Sequence, residues 1–155
     1  MSIYLWVKLL HVLSATILFG TGIGTAFFML RAYLSDSEEA MAVTTRNVVL
    51  ADSVFTTPAV IVQLATGMWL VSQLGVSWTS VWFVVVIGLF VLVGACWLPV
   101  VWIQIRVRDM LAAGDGRRAY QHLMRTWIAL GIPAFAGVLA LFFLMVFKPG
   151  IGTPL

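Results

Sequence analysis

VKLLHVLSATILFGTGIG, residues Val7–Gly24, holds one lysine and one histidine among residues that are otherwise apolar or small. Apolar sequence continues on both sides, from Ile3 to Leu34. A helix that crosses hydrocarbon needs about 20 mainly apolar residues, so this stretch predicts a membrane-spanning helix. It is too long for the core of a cleaved signal, and no small-residue cleavage site follows it. The expectation is a retained first helix.

Composition extends that reading to the whole chain. Of 155 residues, 62% are hydrophobic and 10% charged, and the mean hydropathy is +1.06. Soluble domains carry about a quarter charged residues. This chain cannot cover its own surface with polar groups, so its solvent is the lipid bilayer. A soluble nucleotide-binding domain and a basic nucleic-acid binder are both excluded; the net charge of +3 comes from arginines near the ends of apolar runs. The single cysteine, Cys96, forbids an internal disulfide or a thiolate cluster. It lies in an apolar stretch without an activating neighbour.

Four segments are apolar enough to span: about 3–34, 43–73, 78–110 and 118–147. The second follows SDSEEA, the third has Ser77 as candidate cap, and the fourth stops at KPGIG, where Pro149 and Gly150 end a helix. The expected fold is an all-α polytopic membrane protein, a single domain folded as a four-helix up-down bundle, because short connections make neighbours antiparallel. The loops near 34–45 and 105–119 carry Arg31, Arg46, Arg106, Arg108, Arg117 and Arg118, with Arg125 just inside. The opposite side has only Lys8 and Lys148. The positive-inside rule then places both termini in the periplasm of a bacterial inner membrane. Trp6, Trp69, Trp78 and Trp82 are expected in the outer aromatic belt.

Gly20 and Gly24 form a G-x-x-x-G pair, which in lipid lets two helices approach. No strand precedes it, so a phosphate-binding loop is excluded. Gly88, Gly94, Gly131 and Gly137 are expected to pack in the same way. Pro58, Pro99 and Pro133 fall inside spans, where proline removes a backbone hydrogen bond and kinks a helix.

Ionisable groups within spans are costly and mark candidate sites. On the first helix His11, Ser14, Ala15, Leu18, Gly22 and Thr25 share a stripe, with Lys8 one turn earlier. On the second, Asp52, Thr56, Ala59, Gln63, Thr66 and Leu70 do so. On the third Trp97, Val101, Gln104 and Arg108 align; on the fourth His122, Arg125, Ala129, Pro133 and Ala136. Two clusters are expected. One, near the arginine-rich side, holds Asp52, Gln104, His122 and Arg125, with Arg125 or Arg46 as partner of Asp52. It is either a structural ion pair or a gate. The other joins His11 with Lys8, Gln63 and Thr66, with Gly88 leaving room on the third helix. A neutral imidazole there is a candidate ligand for haem iron or copper, or a proton relay; it is equally a candidate for a plain interhelical hydrogen bond. His122 lies toward the opposite side, so the two histidines cannot share one metal. Met68 and Met145 could offer thioether but lie off the His11 stripe; methionine usually fills gaps.

The opening YLWVKLLHVLSATILFGTGIG resembles a group of small four-helix bacterial membrane proteins with K-x-L-H in the first helix. The group includes HemJ-type protoporphyrinogen oxidases, CopD-like copper-resistance domains, and a predicted integral-membrane family of unknown function. The last is the nearest, through its length, Arg46, Asp52 and Pro58, and the Q-x-x-T-G element Gln63, Thr66 and Gly67. The HemJ resemblance implies haem b with His11 as its essential histidine, but the later lysine of that family has no counterpart between Lys8 and Lys148. The CopD resemblance implies several histidine and methionine ligands, and this chain has two histidines, far apart. The expectation is a haem-b-binding or redox-associated subunit, with the bilayer and a second copy or redox subunit as partners. The alternatives are a non-enzymatic structural or assembly subunit and a small transporter.

Overall fold

The computed structural model describes residues 2–149, all of whose regular structure is helical. Helix α1 runs Ile3–Leu34. The second span is α2 (Glu38–Ala51), a π-turn (Asp52–Thr56) and α3 (Thr57–Gln73), continuous along one axis of the chain. Helices α4 (Val81–Ala112) and α5 (Arg117–Phe147) complete it. All four spans are long and apolar enough to cross a membrane.

Local chemistry sets the ends. Ser37 accepts the Ala40 N–H at 3.2 Å, and Glu38 and Glu39 occupy the first turn. Carboxylates suit the positive end of a helix dipole, so the second span starts at Glu38 and not at Val43. Ser80, rather than Ser77, caps α4 by accepting the Phe83 N–H at 3.3 Å; Ser77 instead bonds Thr79 inside the turn. Gly75 (φ 65°) and Gly114 (φ 84°) take the left-handed conformation just past α3 and α4, where a side chain would strain the backbone. At the end of α5 it is Lys148 that turns left-handed; Gly150, expected to help stop this helix, lies outside the described residues.

Pro58 explains the π-turn. Its missing N–H cannot close an α-helical bond, and the widened turn ends two residues before it, at Thr56. Buried Val48, Asp52 and Thr56 thus follow at two successive spacings of four. Pro99 and Pro133 lie within α4 and α5.

The helices form a closed circuit: α1 packs on the second span, α2 on α4, α4 on α5, and α5 back on α1. Two apolar cores stand at opposite ends. Near the 35–37 and 113–116 connections, Met29, Met41, Val107 and Met124 are fully enclosed among Tyr33, Val48, Ile103, Tyr120 and Trp127. Near the termini, Val71, Trp82 and Val86 pack with Leu141, Leu144 and Met145. Between them Phe19 stacks on Phe135 at 5.8 Å and meets Phe142 edge-on at 5.4 Å. Trp82 is therefore a core residue, 5% exposed, and its indole N–H donates to the Leu144 carbonyl at 2.9 Å. The expected aromatic belt loses that member, while Trp6 and Trp78 are exposed.

The glycines divide. A Cβ on Gly137 would come within 2.6 Å of Val93 Cγ2, so α5 meets α4 there through glycine. Gly20, Gly22, Gly24, Gly88, Gly94 and Gly131 face nothing within 4 Å. Their expected packing role is not fulfilled within this chain.

Candidate functional site

His11 stands eight residues into α1, opposite Gln63 and Thr66 of α3. Its Nδ1 lies 2.9 Å from Thr66 Oγ1, and its Nε2 lies 3.0 Å from Gln63 Nε2. Thr66 gives its own hydrogen to the Val62 carbonyl at 2.6 Å, so it accepts from His11. Gln63 Nε2 can only donate. With the Gln63 amide placed so that Oε1 accepts from Ser14 and Nε2 donates, the ring carries its hydrogen at Nδ1 and a lone pair at Nε2. Ser14, 4% exposed, closes the chain with its hydroxyl 2.5 Å from Gln63 Oε1 and 2.9 Å from the His11 carbonyl. Four polar side chains thus clasp α1 to α3. Gly67 makes room for the ring, since a Cβ there would sit 3.2 Å from His11 Cε1.

The structure brings together His11, Gln63 and Thr66, as the stripes suggest, and adds Ser14 as a bonding member. Lys8 is exposed and takes no part. Gly88 meets nothing, so it lines no space for the ring. Met68 is exposed and Met145 belongs to the terminal-end core; Cys96 is a half-buried free thiol.

The second expected cluster separates. Asp52 (5% exposed) and Gln104 (3%) are buried, with the Gln104 amide on α4 as a hydrogen-bond donor toward the Asp52 carboxyl. Thr56 donates to Asp52 Oδ1 at 2.7 Å. His122 and Arg125 are exposed on α5 and stay outside. The ion pairs among the described residues are Arg108–Asp109 and Arg117–Asp36, so Asp52 has neither Arg125 nor Arg46 as partner. The α5 stripe through Ala129, Pro133 and Ala136 is likewise the exposed face; Tyr120, Met124, Trp127 and Gly137 form the buried one. Among the described residues, two buried side-chain polar atoms have no hydrogen-bond partner, Gln104 Oε1 and Trp127 Nε1.

A third polar feature escaped the sequence reading. Arg117, the first residue of α5, pairs with Asp36, gives its backbone N–H to Glu38 Oε1 at 3.1 Å, and lies 4.7 Å from the centre of the Tyr33 ring. It staples the two loops together. The signal was present as SDSEE facing an arginine-bearing second loop.

No group of three or more His, Cys, Asp or Glu side chains suited to a metal occurs among the described residues. One groove of about 470 Å³ is lined by Gly20, Gly24, Thr25, Thr44, Asn47 and Phe55, among others. Another, of about 430 Å³, lies by Trp82 and Leu144. Neither touches His11.

Comparison with known proteins now bears on a four-span helical chain. A family model described as "Predicted integral membrane protein (DUF2269)" matches residues 5–149. The chain belongs to this family. It is an integral membrane protein, and its exposed apolar side chains meet lipid. No curated protein matches it, and no solved structure does. The HemJ-type and CopD-like resemblances find no support in these comparisons.

Proposed function

We propose that this DUF2269 member is a non-enzymatic structural subunit of a bacterial inner membrane, both termini outside, whose intramembrane polar residues hold the bundle in register. The observation that carries this reading is the complete use of His11. Both ring nitrogens are engaged by side chains of the same chain, so the imidazole acts as a pin between α1 and α3. Hydrogen bonds between membrane helices contribute about 0.6 kcal/mol each on average, and a linked set contributes more than one. Support for a subunit role comes from Gly20 and Gly24, where an added Cβ would meet nothing within 4 Å, which leaves room for a neighbouring helix to approach.

A second reading, haem b on His11, is favoured by one detail. Thr66 takes the Nδ1 hydrogen, which leaves Nε2 as the basic nitrogen, the tautomer that an axial histidine needs. The space does not fit. The Gln63 amide covers Nε2 at 3.0 Å, and neither groove reaches the ring. Iron would require Gln63 to swing aside and the helix pair to open.

One preparation separates the two. The purified protein is expected to be colourless in detergent, before and after haem addition. His11→Ala and Gln63→Leu are each expected to lower the thermal midpoint by several degrees. A Soret band in the wild type that vanishes in His11→Ala would overturn the structural reading in favour of haem.

A further inference from the structure

The face that α5 turns away from the bundle carries charge that the chain does not answer. Arg118, His122 and Arg125 follow at spacings of four and three, which puts them on one stripe, and all three are exposed. Neighbouring Arg117 is met by Asp36 and Glu38, but the ion pairs among the described residues include neither Arg118 nor Arg125. The first turn of α5 has no acidic residue, although the positive end of a helix dipole disfavours cations. Below the stripe the same face continues through Ala129, Pro133 and Ala136, apolar and exposed. One helix face thus sets cations above an apolar track, the complement of a lipid with an anionic head and hydrocarbon tails.

Depth decides where the cations end. Helix α5 has 31 residues and is about 46 Å long, against hydrocarbon about 30 Å thick. Arg125 lies eight residues past the start of the helix at Arg117, about 12 Å along its axis. With the helix centred, its Cα falls just inside the hydrocarbon. Side chains lean toward the N-terminus of their helix, which for α5 is the arginine-rich side. The Arg125 guanidinium therefore extends up to the phosphate layer, at the level of Arg118 and His122. Guanidinium groups bind phosphate through paired N–H donors. Two arginines with no acid on their stripe favour an anionic headgroup over one that also carries an ammonium group. Arg46 gives the contrast. It too is exposed and lies eight residues past its helix start at Glu38. It is the single cation of α2, and Glu39, seven residues earlier, shares its face.

We propose that Arg118, His122 and Arg125 hold the phosphate of one anionic phospholipid, whose acyl chains lie along the outer face of α5. The test titrates the full-length protein, in a neutral detergent at low ionic strength, with phosphatidylglycerol or with phosphatidylcholine of the same acyl chains. Native mass spectrometry reads the lipid-bound fraction. The wild type is expected to hold one phosphatidylglycerol about tenfold or more tighter than phosphatidylcholine. Arg118→Gln and Arg125→Gln are each expected to weaken phosphatidylglycerol about fivefold and to leave phosphatidylcholine unchanged. Arg46→Gln removes the same charge at the same depth and is expected to change neither. Should Arg125→Gln fail to fold, Arg118→Gln at the helix end carries the comparison. Equal affinity for the two lipids overturns the proposal. A loss in Arg46→Gln as large as in the α5 variants also overturns it, since net charge alone then draws the lipid. Inorganic phosphate that displaces phosphatidylglycerol at the lipid's own concentration overturns it too, because the ligand is then a soluble anion.

Discussion

Gly137 and Gly131 show how far one atom's surroundings decide a residue's role. Both are glycines of α5, six positions apart, and nothing in their local sequence separates them. A methyl group at 137 would sit 2.6 Å from Val93 Cγ2, whereas one at 131 meets nothing within 4 Å. Overpacking of this kind costs about 1–3 kcal/mol, while glycine to alanine in an open helix position gains about 0.5–1 kcal/mol. Gly137→Ala is therefore expected to lower the thermal midpoint and Gly131→Ala to leave it unchanged or raise it. A larger loss in Gly131→Ala would contradict the α4–α5 contact described here. Polar residues follow the same rule. The histidine pin was legible from the sequence because His11, Ser14, Gln63 and Thr66 lie on two short stripes that face each other. The separation of Arg125 and His122 from Asp52 was not. Both lie within three turns of the start of α5, where long side chains can leave the bundle for water or headgroups, and spacing alone does not show which way they go.

At the scale of elements, caps and dipoles placed the helix ends more firmly than hydropathy did. The second span begins five residues before its apolar run because Ser37 and two glutamates favour the start there. Ser37→Ala is expected to cost about 1 kcal/mol, read as a lower midpoint in a thermal melt. Arg117→Ala removes the side-chain pair with Asp36 while keeping the backbone N–H bond to Glu38, and Asp36 is exposed, so the expected loss is under about 1 kcal/mol and shrinks in high salt. A loss that salt does not touch would argue that the stacking on Tyr33 matters more than the charges. The π-turn could be anticipated only as a kink at Pro58; the sequence does not say whether a missing N–H bends a helix or widens one turn. The phase of α5 was misread for a related reason. A helix apolar on nearly every side gives periodicity little contrast, and the expected stripe rests on His122 and Arg125, both of which are exposed.

For the whole molecule, four spans, their antiparallel order and their circuit follow from length, composition and short connections. The uneven distribution of arginines supports the proposed orientation of that circuit. In a Cys96→Ser background, Ser37→Cys and Ala113→Cys are expected to react with an impermeant maleimide only after cells are opened, and Ser77→Cys in intact spheroplasts. The reverse pattern would invert the proposed topology while leaving the fold intact. What length and composition could not supply is the contrast between the two intramembrane polar sites, since that depends on which helix provides each partner.

That contrast has a consequence for how the chain is made. Every partner of His11 arrives with the second span, so α1 and α3 can leave the insertion machinery as a pair whose polar groups already satisfy one another. Asp52 has Thr56 from its own helix, but Gln104 belongs to the third span. During synthesis the chain therefore carries a carboxyl without its full set of neighbours until about thirty more residues beyond α3 have entered the membrane. The order of the spans is thus part of the design: the first pair closes early, and the third completes what the second leaves open.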